Sequence, residues 1–228
     1  MKLFKSIFYT SILLSVFSCK TANSNTINSN NIASIKTNEK KQTISVSDTV
    51  FENLTDHSKD FILEMKYATN DNFLNSKVYD CASCYLRIKT IKSLIKANEE
   101  FLKKGYRIKL FDCYRPLDVQ KKMWKIVPNA TYVANPKRGS IHNRGGAVDI
   151  TIVDKQGNEL DMGTKFDHFG PESSHLFTKL SSDVIKNRKL LKKIMIKNGF
   201  ESLDSEWWHY NLKDAKKDAL SNFSWNCN

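Results

Sequence analysis

The stretch SIHNRGGAVDITIV, residues 140–153, places a histidine and an aspartate on either side of a bend and then continues as a strand. Gly145 and Gly146 lie between His142 and Asp149, and glycine reaches backbone angles that are closed to other residues. After the glycines, small or apolar residues alternate with polar ones, which is typical of a strand with one face towards a site. We therefore expect a loop to carry His142 into a strand that holds Asp149.

A second motif, EWWH at residues 206–209, adds another histidine and another carboxylate. Two imidazoles and one carboxylate are how a catalytic zinc is held when its fourth position stays open for water. We therefore predict that His142, Asp149 and His209 bind one zinc ion per chain, with Glu206 as the general base of a hydrolase. Residues three apart point to opposite faces of a flat strand, so a bulge or a strand start must turn Glu206 or His209.

Together, S-x-H-x-x-G-x-A-x-D and E-x-W-H resemble the signature of the D-alanyl-D-alanine dipeptidases, zinc peptidases related to the D,D-carboxypeptidases with the hedgehog-type fold. The resemblance spans about residues 50–212 and continues in order through four further segments: YATNDNF at 67–73, DCYRP at 112–116, DMGTKFD at 161–167 and NGF at 198–200. It implies zinc-dependent hydrolysis of D-alanyl-D-alanine in peptidoglycan metabolism.

The resemblance also implies roles for residues outside the two motifs. Pro116 disfavours helix at the preceding residue, so Arg115 is expected in extended chain at the end of a strand. In the family's Y-R-P pattern it points into the cleft, where a guanidinium can hold the negative charge that develops on the carbonyl oxygen. Tyr67 and Asp167 resemble the residues that bind the free ammonium of the dipeptide, and Ser140 provides a polar contact beside them.

Two other functions remain open at this point. The same zinc chemistry would suit a D,D-carboxypeptidase or an endopeptidase acting on larger cell-wall peptides, and the chain could instead be a noncatalytic wall-binding lipoprotein. The presence of Glu206 argues against the latter, since a binding protein needs no base. A narrow pocket walled by residues 70–80 and 161–171 would favour a dipeptide, whereas an open groove would favour a longer peptide.

The N-terminus predicts export. Residues 1–5 are basic, residues 6–17 are apolar but too short to span a bilayer, and Cys19 follows where a bacterial lipoprotein signal is cut. We expect Cys19 to anchor the protein by lipid to a membrane, facing the periplasm or cell exterior; an ordinary signal peptide cut elsewhere is the alternative. Residues 20–47, rich in Asn, Ser and Thr, predict a disordered tether, and residues 48–228 the enzyme domain.

Charge and cysteine content narrow the partners. The chain has 36 Lys plus Arg against 24 Asp plus Glu, but the lysines are scattered over predicted helix surfaces, so we expect no nucleic-acid partner. The sequence makes no prediction of oligomeric state.

Apart from Cys19 there are four cysteines, an even number that allows three pairings in an oxidising compartment: Cys81, Cys84, Cys113 and Cys227. A disulfide at Cys113 would stiffen the site next to Arg115.

Hydrophobic periodicity predicts an α+β fold in a single domain, with an antiparallel sheet carrying the zinc site and helices packed behind it. The predicted strands lie at residues 61–67, 106–111, 147–153 and around 207–208. The predicted helices lie at residues 86–104, from 118 onwards, and at 183–198.

Overall fold

A five-stranded sheet with helices behind it forms the centre of the computed structural model, which describes residues 46–227. The strands are β1 Phe51–Asn53, β2 Ile62–Leu63, β3 Tyr85–Arg87, β4 Arg107–Asp112, β5 Ala147–Val153, β6 Phe200–Ser202 and β7 His209–Leu212. The helices are α1 Leu54–His57, α2 Ile88–Leu102, α3 Leu117–Ile126 and α4 Ser182–Lys197. The predicted signal segment, Cys19 and nearly all of the tether lie outside the described residues.

The large sheet has the order β2-β4-β5-β7-β6 and is mixed, so the prediction of an antiparallel sheet was wrong for one pair of strands. β2 runs parallel to β4, while the other three pairs are antiparallel. The physical reason is the connection between them: α2 lies between β2 and β4 in the chain, and a crossover of this kind returns the next strand in the same direction. A small antiparallel pair, β1 with β3, lies outside this sheet.

The two faces of the sheet separate the core from the site. Val148 and Ile150 on β5 and Tyr210 on β7 belong to one buried apolar cluster together with Leu94 of α2 and Leu191 of α4. Side chains alternate along a strand, so the residues between them point to the opposite face. Both central strands therefore carry core residues on the helix side and candidate site residues on the other side.

Several predicted elements differ at their ends. Residues 85–87 pair with β1 as a strand, so α2 begins at Ile88, two residues later than the predicted start. The strand predicted at residues 61–67 is only Ile62–Leu63, and Tyr67 lies in the 3₁₀ turn Lys66–Ala68. Trp207 and Trp208 precede β7 instead of forming a strand, and both indole rings are buried in the main apolar cluster.

Two disulfides connect Cys84 with Cys113 and Cys81 with Cys227. They resolve the open choice among three pairings. The first lies in the core at the end of β4, and the second holds the C-terminal segment against the loop that precedes β3. That segment also binds the bend of the first motif, where the Ser221 amide donates to the Asn143 carbonyl at 2.9 Å. Within the described residues, no helix has the length and apolar character needed to cross a membrane.

Candidate metal centre and active-site cleft

Three side chains converge at the centre of the sheet in the way that the first motif predicts. Nε2 of His142 lies 3.2 Å from Nδ1 of His209 and 3.4 Å from Oδ1 of Asp149, and the last two atoms are 3.0 Å apart. Metal bonds of about 2.0–2.1 Å in a tetrahedral site would place ligand atoms about 3.3 Å from one another. The triangle of donor atoms therefore has the size of one face of a zinc coordination sphere.

The outer nitrogens of both imidazoles fix which atoms can bind a metal. Nδ1 of His142 lies 2.7 Å from the Cys113 carbonyl oxygen, and Nε2 of His209 lies 2.9 Å from Oδ1 of Asn211. Because oxygens of this kind only accept, both outer nitrogens carry the proton and donate. In the neutral rings, the inner nitrogens then present lone pairs to each other and to Asp149, and such a set of acceptors requires a cation between them. The residues thus fit a metal ion.

The electrostatics agree with this arrangement. Burial alone would raise the pKa of the Asp149 carboxyl, but the adjoining His142 and His209 hold this pKa well below its ordinary value. Burial lowers the pKa of His209, and the adjoining Asp149 carboxylate, which favours the protonated ring, more than offsets it, so the pKa is raised. The carboxylate is therefore ionised throughout the physiological range.

Strand pairing explains why these groups meet. Asp149 on β5 is the register partner of His209, the first residue of β7, so the two side chains share a face. His142 arrives from the other end, through a 3₁₀ turn closed by Gly145 at φ +69°. A Cβ at Gly145 would also lie 2.3 Å from the Phe51 ring, so the bend requires glycine for both angle and space. The predicted loop into a strand is confirmed, with Gly145 at positive φ.

Glu206 lies in the loop between β6 and β7, and this resolves the three-residue spacing. Its amide donates to the Leu203 carbonyl at 3.2 Å, which makes a turn immediately before β7, and only His209 belongs to the strand. The Glu206 side chain lines the same cavity as the three candidate ligands. Burial, opposed by the nearby His209, raises its pKa above the ordinary value, which suits a carboxylate that must take up a proton.

Arg115 is buried and enters the cavity, held by two side chains. Its Nη2 donates to Oδ2 of Asp112 at 2.5 Å, and its Nη1 donates to Oε1 of Gln120 at 3.0 Å. Asp112 is fully buried and also accepts from the Tyr79 hydroxyl at 2.6 Å. A charge buried in this way is stable only when it is paired and hydrogen-bonded, and here the pair aims the guanidinium into the cleft.

A bulge in β4 brings Asp112 into this row. The register shifts between Leu110 and Asp112, so that Asp112 instead of Phe111 stands opposite Asp149. Bulges commonly redirect a side chain next to an active site. Asp112, Asp149 and His209 consequently lie side by side on three adjacent strands.

Tyr67 and Asp167 meet at one end of the cavity, although a hundred positions separate them in the chain. The Tyr67 hydroxyl lies 3.1 Å from both oxygens of Asp167. Asp167 adopts φ +61°, a left-handed conformation that is uncommon for non-glycine residues. Burial, and next the Asp149 carboxylate, raise the pKa of Asp167 well above its ordinary value. A cationic group beside Asp167 would offset that cost.

Ser140 lines the cavity, and its polar atoms also hold the bend together. Its amide and hydroxyl both donate to Oδ1 of Asn143, at 2.7 and 3.1 Å. Asn143 in turn donates to the Arg115 carbonyl at 2.7 Å. Ser140 therefore has a structural role in positioning the His142 turn, and its contact with substrate stays a prediction.

With this geometry in view, comparison with known proteins is informative. A family model described as D-ala-D-ala dipeptidase, peptidase M15, matches residues 48–225. The chain belongs to this family. The family that the two motifs resemble is thereby confirmed, and the matched range contains every candidate site residue except Cys19.

Relatives are similar over most of their length. The D-alanyl-D-alanine dipeptidase of Escherichia coli K12 is 35% identical over 168 residues, which cover 74% of this chain and 87% of that protein. The D-alanyl-D-alanine dipeptidase of Enterococcus faecium is 33% identical, covering 66% of this chain and 85% of the relative. The dipeptidase of the same name from Enterococcus faecalis is 31% identical, covering 71% and 91%.

Sequence reasoning missed the residues that support the site. Asp112, Gln120 and Asn211 bind Arg115 or His209 from behind, and the Cys113 carbonyl orients His142. Asn211 had a usable signal, since it lies two residues after His209 and so on the same face of a strand. The sequence gives no signal for Gln120, because its hydrogen bond with Arg115 depends on how α3 packs after Pro116.

Proposed function

We propose that this protein is a zinc peptidase that hydrolyses D-alanyl-D-alanine, and related D-amino-acid dipeptides, released from peptidoglycan. One observation carries the proposal: a single cavity of about 310 Å³ is lined by the metal-binding triad, by Glu206 and Arg115, and by the Tyr67–Asp167 pair. These groups supply, respectively, a cation site, a base with an oxyanion donor, and a pocket for an ammonium. The activity named for the relatives from three bacteria agrees with it.

The substrate is positioned for reaction through its free ammonium group. The free ammonium of the dipeptide lies against the Asp167 carboxylate and the Tyr67 hydroxyl, and this fixes the peptide carbonyl near the triad. Such positioning converts part of the binding energy into orientation of the reacting atoms. Ser140, on the wall of the same cavity, offers a further polar contact.

When bound by His142, Asp149 and His209, zinc supplies Lewis-acid chemistry, lowering the pKa of water to about 7 and polarising the carbonyl. Glu206 takes one proton from the attacking water on a carboxylate oxygen as the new C–O bond forms. The same oxygen returns that proton to the amide nitrogen as the C–N bond breaks, and two D-alanine molecules result. Arg115 donates to the carbonyl oxygen while it carries negative charge, a contribution that typically amounts to about 10²–10³ in rate.

The cleft favours a dipeptide over a longer wall peptide. The Phe169 ring lies 4.9 Å from that of Tyr132 and 5.0 Å from that of Phe73, which joins three loops beside the cavity. A chain extended at its amino end would also lose the ammonium and leave the half-buried Asp167 carboxylate without a cationic partner. A site built to bind one polar group rejects substrates that lack it.

Substrates with a free and a blocked amino end test this proposal. We expect the wild-type protein to cleave D-Ala-D-Ala with a kcat/KM at least about 10²-fold above that for N-acetyl-D-Ala-D-Ala or for a wall pentapeptide. Asp167→Asn should lose most of this preference by raising KM for the free dipeptide, since a hydrogen bond to a charged group is worth about 1.5–3 kcal/mol. Released D-alanine is the readout. Preferential cleavage of the pentapeptide by the wild type would instead identify a carboxypeptidase.

We also propose that the enzyme acts outside the cytoplasm as a lipoprotein anchored through Cys19. The basic start, short apolar segment and cysteine support this, and two disulfides in the domain suit an oxidising compartment. Cys19→Ala should move the protein from the membrane fraction to the soluble fraction or leave an uncleaved precursor. An intact mass of the native protein without acyl chains would contradict the anchor.

A further inference from the structure

The outer surface of α2 and α4 carries a concentration of positive charge on the side of the sheet opposite the cleft. Both helices pack against the core face of β5 and β7, whereas Asp149 and His209 point from those strands to the other side. The Lys197 ammonium on α4 lies 2.9 Å from the Glu100 carboxylate on α2, so the outer faces of the two helices adjoin. A partner bound there would leave the cleft free.

This surface is dominated by lysine. Eight exposed lysines lie on the two helices and on the turn after α2: Lys92, Lys96, Lys103, Lys104, Lys186, Lys189, Lys193 and Lys197. The four on α4 are spaced by three or four residues, which places them along one stripe. We call this set the basic helix surface. Over the same stretches only two carboxylates are exposed, Glu99 and Asp183.

Most of these lysines lack a counter-ion in the part of the chain that the structure describes. Lys92 pairs with Asp48 at 2.6 Å and Lys197 with Glu100 at 2.9 Å. Within residues 46–227, no carboxylate lies within 4.0 Å of the ammonium groups of the remaining six. Leu102 and Ile196 are each 42% exposed beside Lys103 and Lys197, so aliphatic side chains accompany the charges.

The chain enters the domain at the same surface. The 3₁₀ turn Val46–Thr49 begins the described structure, and its Asp48 is the residue that pairs with Lys92 on α2. All 45 preceding residues, with the apolar segment and Cys19, therefore connect to the domain beside the basic helix surface. A membrane attachment in that segment would therefore be connected to the domain beside this surface and not beside the cleft.

We propose that the basic helix surface binds the anionic headgroups of a phospholipid membrane and orients the cleft away from it. Lysines near a negatively charged bilayer each add to attraction, and a basic cluster commonly serves as the second signal that makes a single lipid anchor stable. The exposed Leu102 and Ile196 suit the headgroup boundary. On the described α2 and α4, this surface carries no exposed aromatic ring to stack on bases and no exposed arginine for bidentate contacts to nucleic acid.

Charge reversal on α4 tests the proposal with the full-length exported protein. The variant combines Lys186→Glu, Lys189→Glu and Lys193→Glu, and its matched control combines Lys122→Glu, Lys125→Glu and Lys137→Glu, which are exposed outside the basic helix surface and change the net charge equally. Sedimentation with phosphatidylcholine vesicles, with and without phosphatidylglycerol, is the readout. The neutral vesicles measure any binding by the N-terminal segment alone.

We expect phosphatidylglycerol to increase binding of the wild type and the control, and salt to weaken that increase. In the α4 variant, the increase in binding caused by phosphatidylglycerol should be at least about tenfold smaller than in the wild type. The variant that combines Lys186→Gln, Lys189→Gln and Lys193→Gln should show an intermediate reduction. Equal binding of the α4 variant and the control to anionic vesicles would overturn the proposal. The proposal would also be overturned if the α4 variant lost binding to a short DNA duplex while its binding to anionic vesicles stayed at the wild-type level. Hydrolysis of D-Ala-D-Ala should be unchanged in all of them, which separates this test from that of the peptidase activity.

Discussion

Glu206→Gln should reduce kcat for D-Ala-D-Ala by about 10²–10⁴, or more where one group serves as both base and acid, while zinc content stays at the wild-type level. Glutamine keeps the shape of the side chain in the turn before β7 but cannot take up the proton. The half-buried carboxylate lines the cavity and its pKa is raised, so it is prepared for proton transfer. Initial rates and elemental analysis on the same preparation measure both quantities.

Glu201→Gln is the matched control for this change. Glu201 is an exposed glutamate on β6, and its substitution should leave kcat and zinc content unchanged. If Glu206→Gln loses zinc along with its activity, Glu206 is a ligand and another residue must be the base. If it keeps both, Glu206 has no part in the chemistry.

His209→Ala should lose both zinc and activity, and the loss of turnover should exceed that of Glu206→Gln. The imidazole is one of the three side chains that meet at the candidate metal centre in the described residues, and its removal leaves Asp149 buried with His142 alone. Dialysis against metal-free buffer followed by elemental analysis measures zinc retention, and far-UV circular dichroism checks that the variant is folded. His57→Ala, an exposed histidine remote from the triad in the chain, should behave as the wild type.

Asn211→Ala provides a graded version of the same test. Its amide oxygen accepts from His209 at 2.9 Å, and loss of such a supporting partner typically weakens metal binding by about 10–100-fold. Zinc affinity should therefore fall in the order wild type, Asn211→Ala, His209→Ala. An Asn211→Ala variant with wild-type affinity would contradict the supporting role of Asn211, and a His209→Ala variant that retains one zinc per chain would remove His209 from the ligand set.

The convergence of the candidate metal ligands could be predicted from sequence because their pattern is local. His142, Asp149, Glu206 and His209 lie in two short motifs, and the glycines at the bend leave the chain few ways to connect them. The helices and the central strands followed from periodicity, with errors of a few residues at their ends. The α+β architecture could be predicted for the same reason.

The features that could not be predicted from the sequence depend on contacts between distant parts of the chain. The parallel pair β2–β4 spans only Ile62–Leu63 on one side, too few residues for a pattern to indicate direction. Cysteine spacing allowed three pairings, and only the fold brings Cys84 to Cys113. Asp112 reaches Arg115 and the row of site residues through a bulge, and a bulge shifts register without leaving a hydrophobic signature.

Zinc titration of the metal-free wild type, with D-alanine release measured at each addition, tests the central claim most directly. The claim is that one metal ion held by His142, Asp149 and His209 serves a peptidase active on D-Ala-D-Ala. We predict no activity after chelation and a linear recovery that ends at one zinc per chain. Full activity of the chelated protein, or one bound zinc per chain with no cleavage of D-Ala-D-Ala, would contradict it.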